Sequence, residues 1–231
     1  MNVTLCSAFR NATPYLATYF NQVNALDYEL HKRGDRLQLV WGEGDSTDGT
    51  LSMLKGATFR FRANVIDCTH GGKVFGSIED TERFDQLAYV GNCIWQAIPA
   101  DTDAVVYIES DLLWQPETII GLLEGLTAYP AVSPMVMHIK NPGLYKGEGP
   151  FFYDRWAFRR NGVRFTNEPP YHVDIGKEML RLDSAGSCIA IRYQLAQNLY
   201  FPNDCFVGVS RLIHEQGGEI WLDPELKVFH S

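Results

Sequence analysis

Apolar residues follow two rhythms along this chain. Short, mainly apolar runs, Val3 to Ala8, Leu37 to Trp41 and the continuous Ala104 to Ile108, have the length and bulk of buried strands. Between the first two, Leu16, Tyr19, Phe20, Val23, Leu26 and Leu30 recur at helical spacing and predict a helix opened by Pro14. The same reading expects a strand within Thr58 to Ile66, a long helix from Asp80 to Gln96, a helix from Pro116 to Leu126 and a strand from Ala131 to Met137. Ser46 or Thr47 is the expected cap of a short helix reaching Leu54. Strand and helix alternate, which predicts a largely parallel sheet with helices on its faces. From Asn141 the rhythm breaks: Gly and Pro crowd the stretch to Pro150, then Phe151, Phe152, Tyr153, Trp156 and Phe158 follow closely. No repeat or linker divides the 231 residues, so a single compact α/β domain is expected.

Composition narrows the classes. Apolar residues at 45% support a large core, and no run approaches the roughly 18 apolar residues of a membrane span. Met1 to Leu5 reads as the start of a strand rather than a signal peptide, so a soluble cytoplasmic protein of a bacterial cell or phage-infected host is expected. The five cysteines are scattered, with no Cys-x-x-Cys pair, which argues against a disulfide framework and a structural zinc site. A net charge of −8 weighs against a general nucleic-acid binder, although Phe158 to Arg164 forms a local basic patch.

The conspicuous chemistry lies in "YIESDLLW", where the strand ending at Ile108 runs into Glu109 and Asp111. Residues i and i+2 of an extended segment point to one side, so both carboxylates can face a common hard cation. In open α/β sheets, ligands gather beyond the carboxyl ends of the strands, where this pair stands. The literal Asp-x-Asp of Asp101 and Asp103 precedes the strand and belongs to the opposite end. A second acidic turn, "GEGDSTDGT" from Gly42 to Thr50, follows the second strand and lacks the spaced glycines and lysine of a phosphate loop.

Together these segments resemble a glycosyltransferase of the GT-A fold. "EGDSTDGT" (Glu43 to Thr50) is similar to the Asp-Asp-Gly-Ser-Thr-Asp-Gly-Thr turn of family-2 glycosyltransferases, and "IESD" (Ile108 to Asp111) occupies the place of their Asp-x-Asp metal motif. Arg83 with "LAYVGN" (Leu87 to Asn92) also resembles the fungal mannan polymerase (Anp1-like) glycosyltransferases. "DSAGSCIAIR", "FPNDCFVG" and "PELKVFHS" then follow in the order of that fold: acceptor strand, catalytic helix start, terminal strand. The resemblance omits roughly Asn141 to Lys177. Glu43, Gly44, Glu109 and Asn203 depart from the usual acids of these motifs.

The resemblance implies a mixed, mainly parallel sheet flanked by helices, with residues 1–115 binding a UDP- or GDP-sugar and residues 116–231 binding the acceptor. It implies Mn²⁺ or Mg²⁺ held by Glu109, Asp111 and the terminal His230, to stabilise a departing diphosphate. Ser7, Arg10, Glu43, Asp45, Arg83, Asn92, Glu109 and Ser110 are the expected donor contacts, with Glu43 on the base or ribose and Arg10 on phosphate. Asp204 is the expected general base, in a helix-capping position. Trp156, Arg159 and Gly186 are expected to meet the acceptor, which the sequence leaves open as a glycan, a small molecule or a modified base in DNA. A sugar nucleotidyltransferase and a non-catalytic carbohydrate-binding module are the alternatives; oligomeric state stays open.

Overall fold

The computed structural model describes residues 1–76, 79–139, 151–154, 156–165 and 176–230. The Gly- and Pro-rich stretch 141–150 lies outside them. The first half runs β1 (Asn2–Phe9), α1 (Leu16–Lys32), β2 (Arg36–Glu43), α2 (Thr50–Gly56), β3 (Arg62–Asp67), α3 (Thr81–Gln96) and β4 (Ala104–Ile108). There follow β5 (Leu112–Leu113), α4 (Pro116–Gly125), β6 (Ala131–His138), β7 (Phe151–Phe152), β8 (Arg159–Arg160) and β9 (Val163–Arg164). The chain closes with β10 (Leu180–Leu182), β11 (Cys188–Arg192), α5 (Tyr193–Ala196), α6 (Cys205–Glu215) and β12 (Ile220–His230).

The main sheet has the order β10-β12-β6-β11-β4-β1-β2-β3, with β5 added to β12 and β7 to β6. Pairing is parallel in β4-β1-β2-β3 and in β6-β12, as the alternating pattern predicts. Within the sheet β11 slots antiparallel between β4 and β6 and leaves those two pointing the same way, and β10, β5 and β7 are antiparallel additions. Every residue of β4 is buried, which is why its sequence is a continuous apolar run rather than an alternation.

Neighbouring residues of β2 show how both faces are covered. Trp41 packs its ring against Tyr19 and Phe20 of α1, while the next residue, Gly42, faces Ile94 and Val90 of α3. Successive side chains leave a strand on opposite sides, so α1 and α3 lie on opposite faces. A Cβ at Gly42 would come 2.7 Å from Ile94, so glycine lets α3 approach the sheet. Helix α1 packs on α4, and α3 on α6. Asp80 caps α3 by accepting the Arg83 amide, and Pro116 opens α4.

The start of α2 differs from expectation. Its N-cap is Gly49, at φ +86°, rather than Ser46 or Thr47. Ser46 Oγ instead accepts the Asn11 amide and the Thr47 amide donates to Asn11 Oδ1, so this turn is fastened to the end of β1 before the helix begins. Asp103 accepts the Asn2 amide at the amino end of the sheet, away from the carboxyl ends. Among the described residues no helix is long and apolar enough to cross a membrane.

Candidate functional site

Because β1, β2, β4, β6 and β12 point the same way, their carboxyl ends share one edge. Glu109, Ser110 and Asp111 emerge there from β4. The Glu109 amide donates to the Ser187 carbonyl at 2.8 Å, fixing where the carboxylates leave the strand. Ser110 turns inward and bonds Tyr15. Asp111, about one-third exposed, places Oδ2 3.0 Å from Nε2 of His230 at the last position of β12. The His230 ring stacks on Tyr153 at 4.1 Å and meets His138, its register partner on β6, edge-on at 5.9 Å. Burial and then the neighbouring His230 hold His138 below the usual imidazole range.

Beside this cluster lies a cavity of about 230 Å³ lined by Glu109, Asp154, Ser187 and Arg83 among aromatic walls that include Tyr107, Tyr153, Phe201 and Phe206. Trp156 also lines it, stacked on Phe84 at 4.9 Å, with the Arg164 guanidinium 4.4 Å from the indole centre. Arg164 then reaches Glu79 at 2.7 Å, strapping the β8–β9 hairpin to the segment before α3. Burial, reinforced by Asp111 and Asp154, pushes the Glu109 carboxyl up to about 8; Ser187 and Arg83 oppose the shift. Burial also raises Asp154, although amide and hydroxyl donors favour its charged form. The edge therefore crowds more carboxyl groups together than it has cations to offset, and Glu109 meets this by holding its proton.

Several expected contacts are engaged elsewhere. Ser7 is fully buried, its hydroxyl bonded to Tyr19 and to the Ile108 carbonyl, so it presents no wall to a ligand. Arg10 is taken up by the loop after β3, donating to the carbonyls of Gly72 (2.6 Å) and Lys73 (2.7 Å) and to Gln86. Asp45, at φ +60°, accepts the amides of His70, Gly71 and Gly72. Burial raises its carboxyl, but these amides outweigh that and hold it below the usual range. Glu43 is 1% exposed and accepts the Ser46 amide, bracing its own turn. Asn92 uses both ends of its amide on the Phe201 backbone. Of the helical donor contacts expected, Arg83 lines the cavity and Asn92 serves as a brace.

Asp204 stands at the N-cap of α6 without a side-chain capping bond. Its carboxylate lies along the helix over Gly208 and pairs with Arg211 at 3.3 Å, while the next two residues, Cys205 and Phe206, line the cavity. Arg159 sits 5.4 Å from the Trp156 ring and lines a separate hollow with Arg211 and His214. Gly186 is buried: a Cβ there would come 2.5 Å from Ala157 and 3.0 Å from Asp154, so the position is closed to side chains by packing.

Sequence reasoning singled out neither Asp154 nor Ser187, and placed Tyr153 only within the aromatic run from Phe151. The signal for Asp154 was present, a lone acid inside the aromatic run "FFYD", 7% exposed in the fold. No spacing rule links it to Ser187, its partner at 2.9 Å.

The donor set at Asp111 and His230 is one carboxylate oxygen, suited to Mg²⁺ or Mn²⁺, and one imidazole nitrogen, which favours Mn²⁺ over Mg²⁺; a cation would also relieve the crowding of acids beside it. Among the described residues no three His, Cys, Asp or Glu side chains converge as a complete cage.

No protein-family model and no curated protein matches the chain. Solved structures do. S. aureus TarS 1–349 aligns with a TM-score of 0.59 at 12% identity, over 100% of this chain and 60% of that one. The same protein in complex with UDP-GlcNAc gives 0.58 at 12% identity, over 100% and 58%. GalNAc-T7 with UDP, GalNAc and Mn²⁺ gives 0.55 at 10% identity, over 99% and 43%. The chain thus spans less than two-thirds of the length of these neighbours. They are GT-A glycosyltransferases, and the fold here is theirs: one α/β domain on a mixed, mostly parallel sheet.

Proposed function

We propose that this chain is a divalent-metal-dependent glycosyltransferase, moving a sugar from a UDP- or GDP-sugar to an acceptor hydroxyl. The observation that carries the reading is the meeting of Asp111 with His230 at the carboxyl edge of a sheet shared with proteins solved with UDP, UDP-GlcNAc and Mn²⁺. In this reading residues 1–115 hold the donor and 116–231 the acceptor. Asp111 and His230 hold Mn²⁺ or Mg²⁺, with Glu109 on the cavity side of the pair. The bound cation supplies neutralisation of the charge that grows on the leaving diphosphate.

Asp204 is the general base of the proposal. Its carboxylate is about two-fifths exposed and precedes two cavity-lining residues, so releasing Arg211 frees it to take the proton of an attacking hydroxyl. Trp156 and Arg159 flank the approach of the acceptor, a glycan, a small molecule or a modified base in DNA.

Calorimetric titration of UDP and GDP with Mn²⁺, Mg²⁺ or EDTA, on wild type and Asp111→Ala, tests this reading. Metal-dependent binding of one nucleotide, lost in Asp111→Ala, is expected. Asp204→Asn should keep that binding and lose transfer. Failure of both nucleotides under every condition would leave a carbohydrate-binding module as the better account.

A further inference from the structure

The cavity beside the acidic edge has its own chemistry. At about 230 Å³ it falls below the roughly 300–1,000 Å³ of a site for a drug-sized ligand, so it holds one small ring rather than a whole nucleotide sugar. Its walls are aromatic, and its polar groups are few and convergent. Asp154 is one of them. An ionised carboxylate offers about four acceptor positions. The Ala157 amide (3.0 Å), the Trp156 amide and the Ser187 hydroxyl (2.9 Å) take three, and the residue lines the cavity with one to spare.

Opposite in character is Trp156. Its indole Nε1–H is buried and has no hydrogen-bond partner among the described residues, although the side chain lines the same cavity. A buried donor without a partner is costly, and a ligand oxygen satisfies it. Ser187 completes the set. Its φ of +55° and the bond from the Cys188 amide to the Gly186 carbonyl make a γ-turn of the rare, strained kind. That turn carries a hydroxyl that donates to Asp154 and stands within reach of Glu109. Strain of this sort persists where the surroundings over-determine it, characteristically at binding sites.

We infer that this cavity takes a single neutral pyranose ring, and that Asp154 is a specificity residue, accepting a hydrogen bond from one ring hydroxyl while Trp156 Nε1–H donates to another ring oxygen. The crowding of carboxyl groups selects a neutral sugar. Glu109 and Asp154 line the cavity, with Arg83 as the opposing cation and Glu79 already paired with Arg164 at the rim. A uronate would bring a third carboxylate into that space. The ring belongs either to the donor, as its transferred sugar, or to the acceptor, and the donor case rests on the nucleotide-sugar reading above.

The test is calorimetric titration of wild type, Asp154→Asn and Trp156→Phe with UDP, UDP-glucose and UDP-glucuronate in Mn²⁺, and with methyl glucoside in the presence of UDP and Mn²⁺. Trp156→Phe removes the N–H but keeps a ring against Phe84, so it reports on recognition even if Asp154→Asn folds poorly. For a donor ring, UDP-glucose should bind wild type roughly tenfold tighter than UDP, with no such gain for UDP-glucuronate. That gain should disappear in Asp154→Asn and shrink in Trp156→Phe, while UDP itself binds all three proteins alike. For an acceptor ring, methyl glucoside should bind and show the same dependence on both residues. If UDP binds but neither sugar arm shows a gain, or neither variant alters it, the inference is overturned and the nucleotide reading stands. If neither UDP nor, in the titration above, GDP binds while methyl glucoside binds through Asp154, the inference stands and the nucleotide reading falls. No binding of GDP or of any probe here overturns both.

Discussion

The imidazole of His230 lies 3.0 Å from the carboxylate of Asp111, although 119 residues separate them in the chain. Two strands make the contact. β12 runs parallel to β6, and β6 is parallel to β4 through the antiparallel β11 between them, so both carboxyl ends arrive at one edge. The Tyr153 ring, stacked on the imidazole, sets its plane. If this pair holds a divalent cation, His230→Ala should weaken Mn²⁺ affinity by more than the about 10–100-fold that loss of an outer-shell partner costs. Tyr153→Ala, which leaves both donors in place, should weaken it less. Titration of Mn²⁺ followed by calorimetry or by its paramagnetic signal measures both.

Glu109 gives a pH dependence whose sign can be worked out. Its carboxyl is raised from 4.5 to about 8 in the fold, first by burial and then by Asp111 and Asp154. Between those values the folded protein binds more proton than the unfolded chain. Its contribution to stability is therefore fully present below 4.5 and is lost as pH rises through about 8. In metal-free buffer the melting temperature of wild type should fall across that window more than that of Glu109→Gln. Parallel curves would show that Glu109 does not titrate there.

How far the sequence carried the fold follows from which interactions are local. The run Ala104 to Ile108, the Asp80 cap and Pro116 all mark their elements through period and capping, and β4, α3 and α4 begin where those signals stand. The motif at Glu109 and Asp111 was legible for the same reason, because it is tied to a strand end. Arg10 and Asp45 look like ligand contacts in isolation. Only the folded chain shows that the loop carbonyls of Gly72 and Lys73 and the amides of His70 to Gly72 meet their charges. Asp154 and Ser187 are joined across 33 residues, partly through a stretch with no periodic pattern, and no local rule pairs them.

Asn92 separates a donor contact from a structural brace. Its side chain donates to the Phe201 carbonyl at 2.9 Å and accepts the Phe201 amide at 2.8 Å, clamping α3 to the segment before α6. Phe201 is buried, so Asn92→Ala leaves two backbone groups unpaired. The expected loss is about 1–3 kcal/mol of unfolding free energy. Chemical denaturation measures it. Nucleotide affinity in the folded fraction should stay at the wild-type value; a selective loss of affinity without destabilisation would restore Asn92 as a donor contact.

Gly186 tests whether the packing behind the cavity governs its shape. A methyl group there would sit 2.5 Å from Ala157 Cβ and 3.0 Å from Asp154 Oδ2, distances that force the Asp154 turn away from Ser187. Inserting one carbon into such a site costs about 1–3 kcal/mol. Gly186→Ala should therefore lower stability by that amount and, at temperatures where it stays folded, weaken sugar binding as Asp154→Asn does. Gly34→Ala is the control. Gly34 has positive φ but no atom within 4 Å of its Cβ position, and it lies in the turn after α1. It should cost stability through backbone strain alone and leave sugar binding untouched. Equal effects of the two variants on binding would mean that the cavity follows global stability rather than the contact between Gly186 and Asp154.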